Sequence, residues 1–390
     1  MQQGQGQGRD AIGTVEDLHA SASRITGRGD FGPDDYGEAL AVLLESYASE
    51  ARLTPWGNKA VRATLRGALV ARQLSEAAAR QYPEHADVAI EQPIIVTGLP
   101  RTGTTALHRL LCEDPRHQGL EMWLTEAPQP RPPRETWDDN PVFQRIQAAY
   151  SKFHVESPEF MGVHYMSAEM VEECWQLLRQ SIMSISYEAL AHLPAYSRWL
   201  MKQSWTPAYA RHRQNLQLIG LPDKERRWVL KNPSHLFALP SLLTVYPDAL
   251  IVQTHREPAT VIASMSSLAA QATTGQSELF QGDVIGRIQL DLWARGAERF
   301  MSDREQCDPA QIIDVRYDEF VADPLGTVEA IYDRFDLRLT DEARAAMAAL
   351  HGESAASDRR PSHRYDLSDF GLTAGEVNDR FMRYRSVYLG

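Results

Sequence analysis

The run IIVTGLPRTGTTALHRLL, residues 94–111, restricts the possible folds more than any other part of the chain. It joins a short apolar strand to an apolar helix through a glycine-rich turn. Gly98 and Gly103 let the backbone approach a ligand closely, and such a turn presents N–H groups at a helix N-terminus to an anion. Thr104 and Thr105 add hydroxyl donors, and Arg101 adds a planar cation that suits sulfate or phosphate oxygens. The loop therefore predicts an anion-binding site.

Short apolar runs recur along the chain, and each is followed by a polar cluster and a helical pattern. They cover residues 93–97, 227–231, 249–255 and 311–317. Strands that alternate with helices predict a parallel sheet covered on both faces. We therefore expect a three-layer α/β fold with a P-loop nucleoside triphosphatase-like topology and additional helices. Ligands of such sheets bind beyond the carboxyl ends of the strands, which here are Thr97-Gly98, Lys231-Asn232, His255-Arg256 and Arg316-Tyr317.

The chain divides into three predicted parts. Residues 1–10 are rich in Gly and Gln and predict a disordered tail, whereas residues 11–90 carry the three- and four-residue apolar steps of helices. Residues 91–390 form the predicted α/β domain. Within it, residues 125–220 are an insert that opens with a proline-rich stretch and continues with helical patterns, including AEMVEECWQLLRQSI at 168–182. We expect this insert to shape the site of a second substrate, because inserts and loops usually carry specificity.

The net charge of −12 argues against broad binding to nucleic acids or anionic membranes, which requires a basic surface. The three cysteines are far apart and show no spacing typical of a zinc site or a disulfide framework. The N-terminus lacks the segments of a signal peptide, and no apolar run approaches the ~20 residues that span a bilayer. We therefore expect a cytoplasmic protein with no transmembrane segment, and a homodimer is compatible with the sequence.

The glycine-rich loop has a rival interpretation as the Walker motif G-x-x-x-x-G-K-[ST] of P-loop kinases. Gly98 and Gly103 have the spacing of that motif, and Thr105 stands at its Mg²⁺-binding hydroxyl. Thr104, however, replaces the lysine that reaches the β- and γ-phosphates. The loop thus argues against a kinase. A nucleotide kinase and a protein that binds an adenine nucleotide without catalysis stay as alternatives.

Four segments in order, over about residues 93–340, resemble the sulfotransferases that use 3′-phosphoadenosine-5′-phosphosulfate (PAPS). They are LPRTGTT at 99–105, WVLKNPSHLFALPSLLTVYPDA at 228–249, THREPATVIASMSSL at 254–268 and VRYDEFVADPLGTVEAIYDRFDL at 315–337. The first is similar to the loop of the branch that includes bacterial and tyrosylprotein sulfotransferases. The resemblance implies PAPS as co-substrate and adenosine 3′,5′-bisphosphate as product. We expect no metal, because PAPS has no β,γ-bridged triphosphate to clamp.

The resemblance also implies roles for individual residues. Lys231 matches a catalytic lysine at a strand end, and Arg101 is expected at the phosphosulfate and its bridging oxygen. Arg256 and Ser264, eight residues apart, match the pair that binds the 3′-phosphate. The donor site is then expected to include the loop residues Gly98, Arg101, Thr102, Gly103, Thr104 and Thr105. Arg359 and Arg360 are candidates for a loop that covers the nucleotide, although an ordinary surface charge pair explains them equally well.

The general base is less well defined by the sequence. In the resembling branch, a glutamate shortly after the phosphate-loop helix accepts the acceptor proton. Alignment on Asp114-Pro115 favours Glu121, and Glu126, His164 and His235 stay as alternatives. The acidic pair at 172–173 is expected on a solvated helix face, with a position facing the acceptor cleft as the alternative.

Aromatic residues in and just before the insert favour a small apolar or lipid-like alcohol or phenol as the acceptor. A long anionic polysaccharide would instead require a basic groove, which a net charge of −12 does not indicate. The aromatic residues are Trp123, Trp137, Phe143, Tyr150, Phe153, Phe160 and Tyr165.

Overall fold

The computed structural model of the protein describes residues 11–156, 166–356 and 365–390. It opens with three helices, α1 (Val15–Thr26), α2 (Gly37–Glu50) and α3 (Pro55–Gln81). Thr14 and Asp17 form a capping box at the start of α1, and Gly27 ends that helix in the left-handed conformation. The Thr54 hydroxyl caps α3, whose first residue is a proline. Three helices therefore occupy most of residues 15–81.

The central sheet contains β1 (Ile94–Gly98), β2 (His117–Gln118), β3 (Arg227–Lys231), β4 (Leu250–His255) and β5 (Ile312–Arg316). The strands lie in the order β2-β3-β1-β4-β5, and every pair is parallel. The four predicted strands and the parallel α/β fold are confirmed. β2 was missed because two residues are too few to form a recognisable apolar run.

Helices cover both faces of the sheet and fill the insert. In chain order they are α4 (Thr104–Cys112), α5 (Met122–Glu126), α6 (Pro141–Glu156), α7 (Trp175–Arg179), α8 (Pro194–Leu200), α9 (Thr206–Ile219), α10 (Leu239–Val245), α11 (Pro258–Ala272), α12 (Gly282–Arg304), α13 (Tyr317–Ala322), α14 (Pro324–Arg334), α15 (Asp341–Ala356), α16 (Ala374–Arg380) and α17 (Met382–Tyr388). The helix predicted over 168–182 is wrong for its first half, because only α7 is helical there.

Alternate residues of β1 point to opposite faces of the sheet. Ile94 and Val96 belong to a buried cluster with side chains of α4, α14 and α15. Ile95 belongs to a larger cluster on the other face, with side chains of α10, α11 and α12. Each such aliphatic side chain contributes about 1.5–3 kcal/mol when fully buried. The three layers therefore fix the carboxyl ends of the strands, where the predicted ligand residues lie.

The N-terminal helices and the insert pack into the larger of these two clusters. Leu40 of α2 and Leu65 of α3 are fully buried there, beside insert residues such as Leu177 and Tyr196. None of the helices in the described ranges is long and apolar enough to cross a membrane.

Candidate active site

A tight turn between β1 and α4 forms the phosphate loop, residues 98–105. Gly98 has a φ of +141°, and a Cβ there would lie 2.5 Å from the carbonyl and hydroxyl oxygens of Thr254 on β4. Gly103 has a φ of +86°, and a Cβ there would lie 3.2 Å from the rings of Tyr317 and Phe320. Glycine avoids strain at both positions, so the loop backbone stays close to the neighbouring elements.

The loop ends at the N-terminus of α4. Its N-cap is Gly103, which has no side chain to cap the first N–H groups. Thr104 and Thr105 of this first turn line a cavity, where the positive end of the helix dipole favours an anion. Thr102 is different: its buried hydroxyl donates to the Leu99 carbonyl oxygen at 2.6 Å. The Thr102 side chain therefore pins the loop and points away from the cavity.

Two arginines meet beside the loop. Arg256, which follows β4, donates from Nη1 to the Arg101 carbonyl oxygen at 2.8 Å and stacks on the ring of Tyr317 at 3.9 Å. Arg101 Nε donates to the hydroxyl of Ser264, on α11, at 3.2 Å. Burial lowers the pKa of Arg101, and the charge of Arg256 acts in the same direction. Adjacent cations beside a helix N-terminus favour a multiply charged anion.

Lys231 ends β3 with its side chain only 1% exposed. Its Nζ donates to the Thr105 hydroxyl at 3.1 Å and to Glu173 Oε1 at 2.6 Å. The carbonyl oxygen of Lys231 accepts from the Cys174 N–H at 3.0 Å, and this backbone contact holds Glu173 at the strand end. The structure thus brings the predicted lysine to the phosphate loop together with a carboxylate.

Asn232, the next residue, has an incomplete hydrogen-bond set. Its Oδ1 accepts from the Ser234 N–H at 2.9 Å, but its buried Nδ2 has no partner in the described part of the chain. Buried polar groups of this kind are usually satisfied. Because Asn232 lines the cavity, an oxygen atom of a ligand would complete its hydrogen bonds.

The cavity beside these residues has a volume of about 600 Å³. One side, the polar wall, contains the phosphate loop together with Glu173, Asn232 and Arg256. Lys231 lies behind this wall, where its Nζ bonds to Thr105 and Glu173. The other side, the apolar wall, comes from the insert, α11 and α12, and consists mainly of Trp175, Ile185, Leu190, Met265, Leu268 and Trp293. A cavity of this size and lining is typical of small-molecule sites.

The structure does not bring Glu121 to this cavity. Its carboxylate pairs with Arg131 at 3.1 Å, and Arg131 also pairs with Asp223 at 2.7 Å. Burial raises the pKa of Glu121, and the charge of Arg131 opposes that rise. Glu121 lines a separate small cavity with Arg109 and other residues. The structure therefore places the predicted base Glu121 outside the cavity that the phosphate loop lines.

The other predicted bases are also displaced or undescribed. Tyr150 lines the cavity and its hydroxyl donates to Glu126 Oε1 at 2.8 Å, so that Tyr150 separates Glu126 from the cavity. His235 is fully buried, with Nδ1 2.7 Å from the Tyr209 hydroxyl oxygen, and burial lowers its pKa well below the ordinary value. His164 lies outside the described residues, as do Phe160, Tyr165, Arg359 and Arg360.

The sequence missed two polar residues of the cavity, Glu173 and Arg179. Solvation of the acidic pair at 172–173 was a wrong expectation, because Glu172 is 1% exposed and Glu173 pairs with Lys231. The available signal was an acidic pair that interrupts an otherwise apolar stretch. The described ranges contain no group of three or more side chains arranged to hold a metal ion.

Comparisons with known proteins agree with this geometry. The profile of the sulfotransferase family matches residues 93–341. In Mycobacterium bovis and Mycobacterium tuberculosis, a curated relative is the omega-hydroxy-beta-dihydromenaquinone-9 sulfotransferase Stf3, 27% identical over 264 residues. The match covers 64% of this chain and 64% of that relative, so less than two thirds of the relative is spanned.

Two solved structures are similar over nearly the whole chain. Sulfotransferase STF1 from Mycobacterium tuberculosis is 57% identical with a TM-score of 0.89, and the match covers 95% of this chain and 99% of that one. Sulfotransferase STF9 from Mycobacterium avium is 26% identical with a TM-score of 0.86, and covers 96% of each chain. Both likenesses include the N-terminal helices and the insert as well as the sheet.

Proposed function

The chain belongs to the sulfotransferase family, and on that premise we propose that it transfers the sulfuryl group of PAPS to the hydroxyl of an apolar or lipid-like alcohol. One observation carries the proposal. The buried ion pair of Lys231 and Glu173 lies against the phosphate loop. Glu173 and the side chains of the apolar wall line one cavity. A cation for the donor and a carboxylate for the acceptor hydroxyl therefore meet in one place.

The polar wall fits a donor with several negative charges. Gly98 and Gly103 keep the loop free of Cβ atoms, and the first turn of α4 offers N–H and hydroxyl donors. Arg101 would bind the phosphosulfate, and Arg256 with Ser264 would bind the 3′-phosphate, which distinguishes PAPS from ATP. The contact between Arg101 and Ser264 supports this grouping, because it joins the two predicted subsites.

PAPS supplies an activated sulfuryl group whose departure leaves negative charge on the bridging oxygen. In the proposal Lys231 stabilises that charge, since its ammonium is buried and oriented by Thr105 and Glu173. In a site that excludes water, a preorganised cation stabilises a developing negative charge far more strongly than the same cation in solution.

Glu173 replaces Glu121 as the proposed general base. Its carboxylate is 21% exposed and lines the cavity of the phosphate loop, whereas Glu121 lines a separate cavity. In the reaction Glu173 would accept the proton of the acceptor hydroxyl as the oxygen attacks sulfur. The ion pair with Lys231 holds the carboxylate in position for that transfer.

The apolar wall supports an apolar or lipid-like acceptor. Its aromatic and aliphatic side chains would bury the body of an alcohol while the hydroxyl approaches Glu173. The mycobacterial relative Stf3 is named for a menaquinone-type acceptor, which is consistent with this class. A metal-independent reaction, a cytoplasmic location and a homodimer stay predictions from the sequence.

Calorimetric titration tests the donor half of the proposal. The protein should bind adenosine 3′,5′-bisphosphate without Mg²⁺ and more tightly than it binds ATP with Mg²⁺. A preference for ATP with Mg²⁺ would favour the kinase alternative and contradict the proposal.

A further inference from the structure

Arg179 is a cation within the otherwise apolar part of the cavity lining. It is the last residue of α7 and is only 9% exposed. Its guanidinium stacks on Trp175 at 3.9 Å and lies 5.3 Å from the ring centre of Tyr187. Its Nε donates to the Ser186 hydroxyl at 2.8 Å. Arg179 and Ser186 both line the cavity, so this polar group is accessible to a bound molecule.

The other arginines that the structure buries to this extent in its described ranges each pair with a carboxylate. Arg72 pairs with Asp35, Arg131 with Glu121 and Asp223, and Arg211 with Glu76. Arg179 has no carboxylate within ion-pair distance among the described residues, and its two Nη groups have no hydrogen-bond acceptor there.

An unpaired buried cation is costly. Burial lowers the pKa of Arg179, because apolar surroundings disfavour the charged form. An arginine nevertheless stays protonated in proteins. Stacking on Trp175 and Tyr187 offsets part of this cost, at roughly 2 kcal/mol per desolvated contact. It leaves the Nη donors of the guanidinium without acceptors in the described part of the chain, and a buried ion recovers its desolvation cost only when its hydrogen bonds are satisfied. The balance favours an anionic partner that is absent from the protein itself.

We infer that the acceptor alcohol carries, away from its hydroxyl, an anionic oxygen group that pairs with Arg179. This inference rests on the proposed function, because it assigns the apolar wall to the acceptor. The negative groups of PAPS are assigned to other cations, Arg101 and Arg256, which contact each other beside the phosphate loop. Arg179 belongs to the insert, so the insert would select amphiphilic alcohols with a charged second group over neutral ones.

Matched ligands test the inference. ω-Hydroxy fatty acids, their methyl esters and 1-alkanols of the same chain length differ in charge but share the hydroxyl and the apolar body. Calorimetry with the protein saturated with adenosine 3′,5′-bisphosphate should give about 10- to 100-fold tighter binding of the hydroxy acid than of the alkanol, as for a hydrogen bond to a charged group. The methyl ester should bind like the alkanol.

Arg179→Met keeps the apolar stem and removes the charge. It should abolish the preference for the hydroxy acid while leaving alkanol and nucleotide binding unchanged. Arg198→Met is the matched control, because Arg198 is an exposed arginine of the same insert, and it should retain the preference. Equal binding of acid and alkanol by the wild-type protein would overturn the inference. So would a persistent preference in Arg179→Met, or a loss of nucleotide binding in that variant, which would move Arg179 to the donor site.

The binding readout separates this inference from the proposed function. If the wild-type protein prefers the hydroxy acid but transfers no labelled sulfate from PAPS, the anion site stands and the proposed reaction fails. If sulfate is transferred to alkanols and hydroxy acids with equal kcat/KM and equal affinity, the reaction stands and the anion site fails.

Discussion

The polar and apolar walls of the cavity are built from different kinds of sequence. Most of the polar wall comes from strand ends and the turns directly after them, at residues 98–105, 232 and 256, and Glu173 joins it from the insert. The apolar wall combines single side chains from the insert, α11 and α12, which together span more than a hundred positions of the chain, from Trp175 to Trp293. Backbone geometry fixes the first wall, whereas side-chain packing fixes the second.

This difference has a functional meaning. The polar wall holds oriented charges, so substitutions there are expected to change the rate of transfer or the selectivity for the nucleotide. The apolar wall supplies shape and area, so substitutions there are expected to change KM for the acceptor more than kcat. Four predictions test that separation.

The largest effect is expected at the polar wall for Glu173→Gln, which preserves shape but removes the base. It should lower kcat by about 10²- to 10⁴-fold, with adenosine 3′,5′-bisphosphate binding unchanged. Glu121→Gln is the matched control and should keep most of the activity, provided that the variant folds. Steady-state transfer assays with calorimetry check both. A larger loss of kcat in Glu121→Gln than in Glu173→Gln would identify Glu121 as the general base instead.

Arg256→Ala should remove nucleotide selectivity without affecting the apolar wall. Binding of adenosine 3′,5′-bisphosphate should weaken by about 10- to 100-fold, while binding of adenosine 5′-phosphate changes little, because only the former has a 3′-phosphate. Arg316→Ala removes a half-exposed charge at the end of the neighbouring strand, where Arg316 pairs with Asp318, and should leave both affinities unchanged. Equal weakening of the two nucleotides by Arg256→Ala would refute the 3′-phosphate assignment.

Ala272→Trp should affect the acceptor and not the donor. Ala272 is a half-buried residue at the end of α11 and lines the cavity, so a bulky ring there would narrow the space for an alcohol. We expect KM for long-chain alcohols to rise about tenfold with little change in kcat. Thr274→Trp, an exposed position two residues later, is the control. A fall in kcat at constant KM would place Ala272 near the reacting atoms instead.

The smallest effect concerns the support of the polar wall. Asp314 on β5 accepts a hydrogen bond from His255 Nε2 at 2.8 Å, next to Arg256. Burial opposes ionisation of Asp314, but hydrogen bonds from His255 and Arg304 outweigh it and lower its pKa to about 2. A lowered carboxyl pKa stabilises the fold above the unfolded value near 3.8, and that stabilisation is lost as the pH falls towards about 2.

Asp314→Asn should therefore lower the free energy of unfolding by about 1 kcal/mol near neutral pH, since 41% exposure of the side chain screens the ion pair. The difference from the wild type should shrink as the pH falls below about 4. Urea unfolding at several pH values measures it. A difference that stays constant with pH would exclude the titration of Asp314 as its cause.

The polar wall was predictable because its residues sit in contiguous motifs, and the sequence placed Arg101, Lys231 and Arg256 at the same edge of the sheet. Glu173 was not predictable in this way. The apolar spacing around it suggested one helix, but the chain there is extended: Val171 forms an antiparallel bridge with Glu121, and the N–H of Cys174 bonds to the Lys231 carbonyl oxygen. These contacts join residues that are 50 and 57 positions apart, which no local pattern encodes.

The prediction of Glu121 as the base did not anticipate the position of its side chain, for a related reason. Glu121 follows the phosphate-loop helix closely in sequence, which suggested the role. In the fold, β2 directs the chain away from the loop, and the Glu121 carboxylate accepts a hydrogen bond from Arg131. Arg179 left no signal at all, because a single arginine among apolar residues at 174–179 is equally typical of a solvated helix end.

The central claim is that the polar wall takes PAPS and the apolar wall takes an apolar alcohol. Transfer of labelled sulfate from PAPS to a panel of acceptors tests it most directly, with long-chain alcohols and ω-hydroxy fatty acids beside phenols and an anionic polysaccharide. The account predicts sulfation of the long-chain compounds, without added metal, and none of the polysaccharide. Sulfation of the polysaccharide alone, or phosphoryl transfer from ATP in place of sulfuryl transfer, would contradict it.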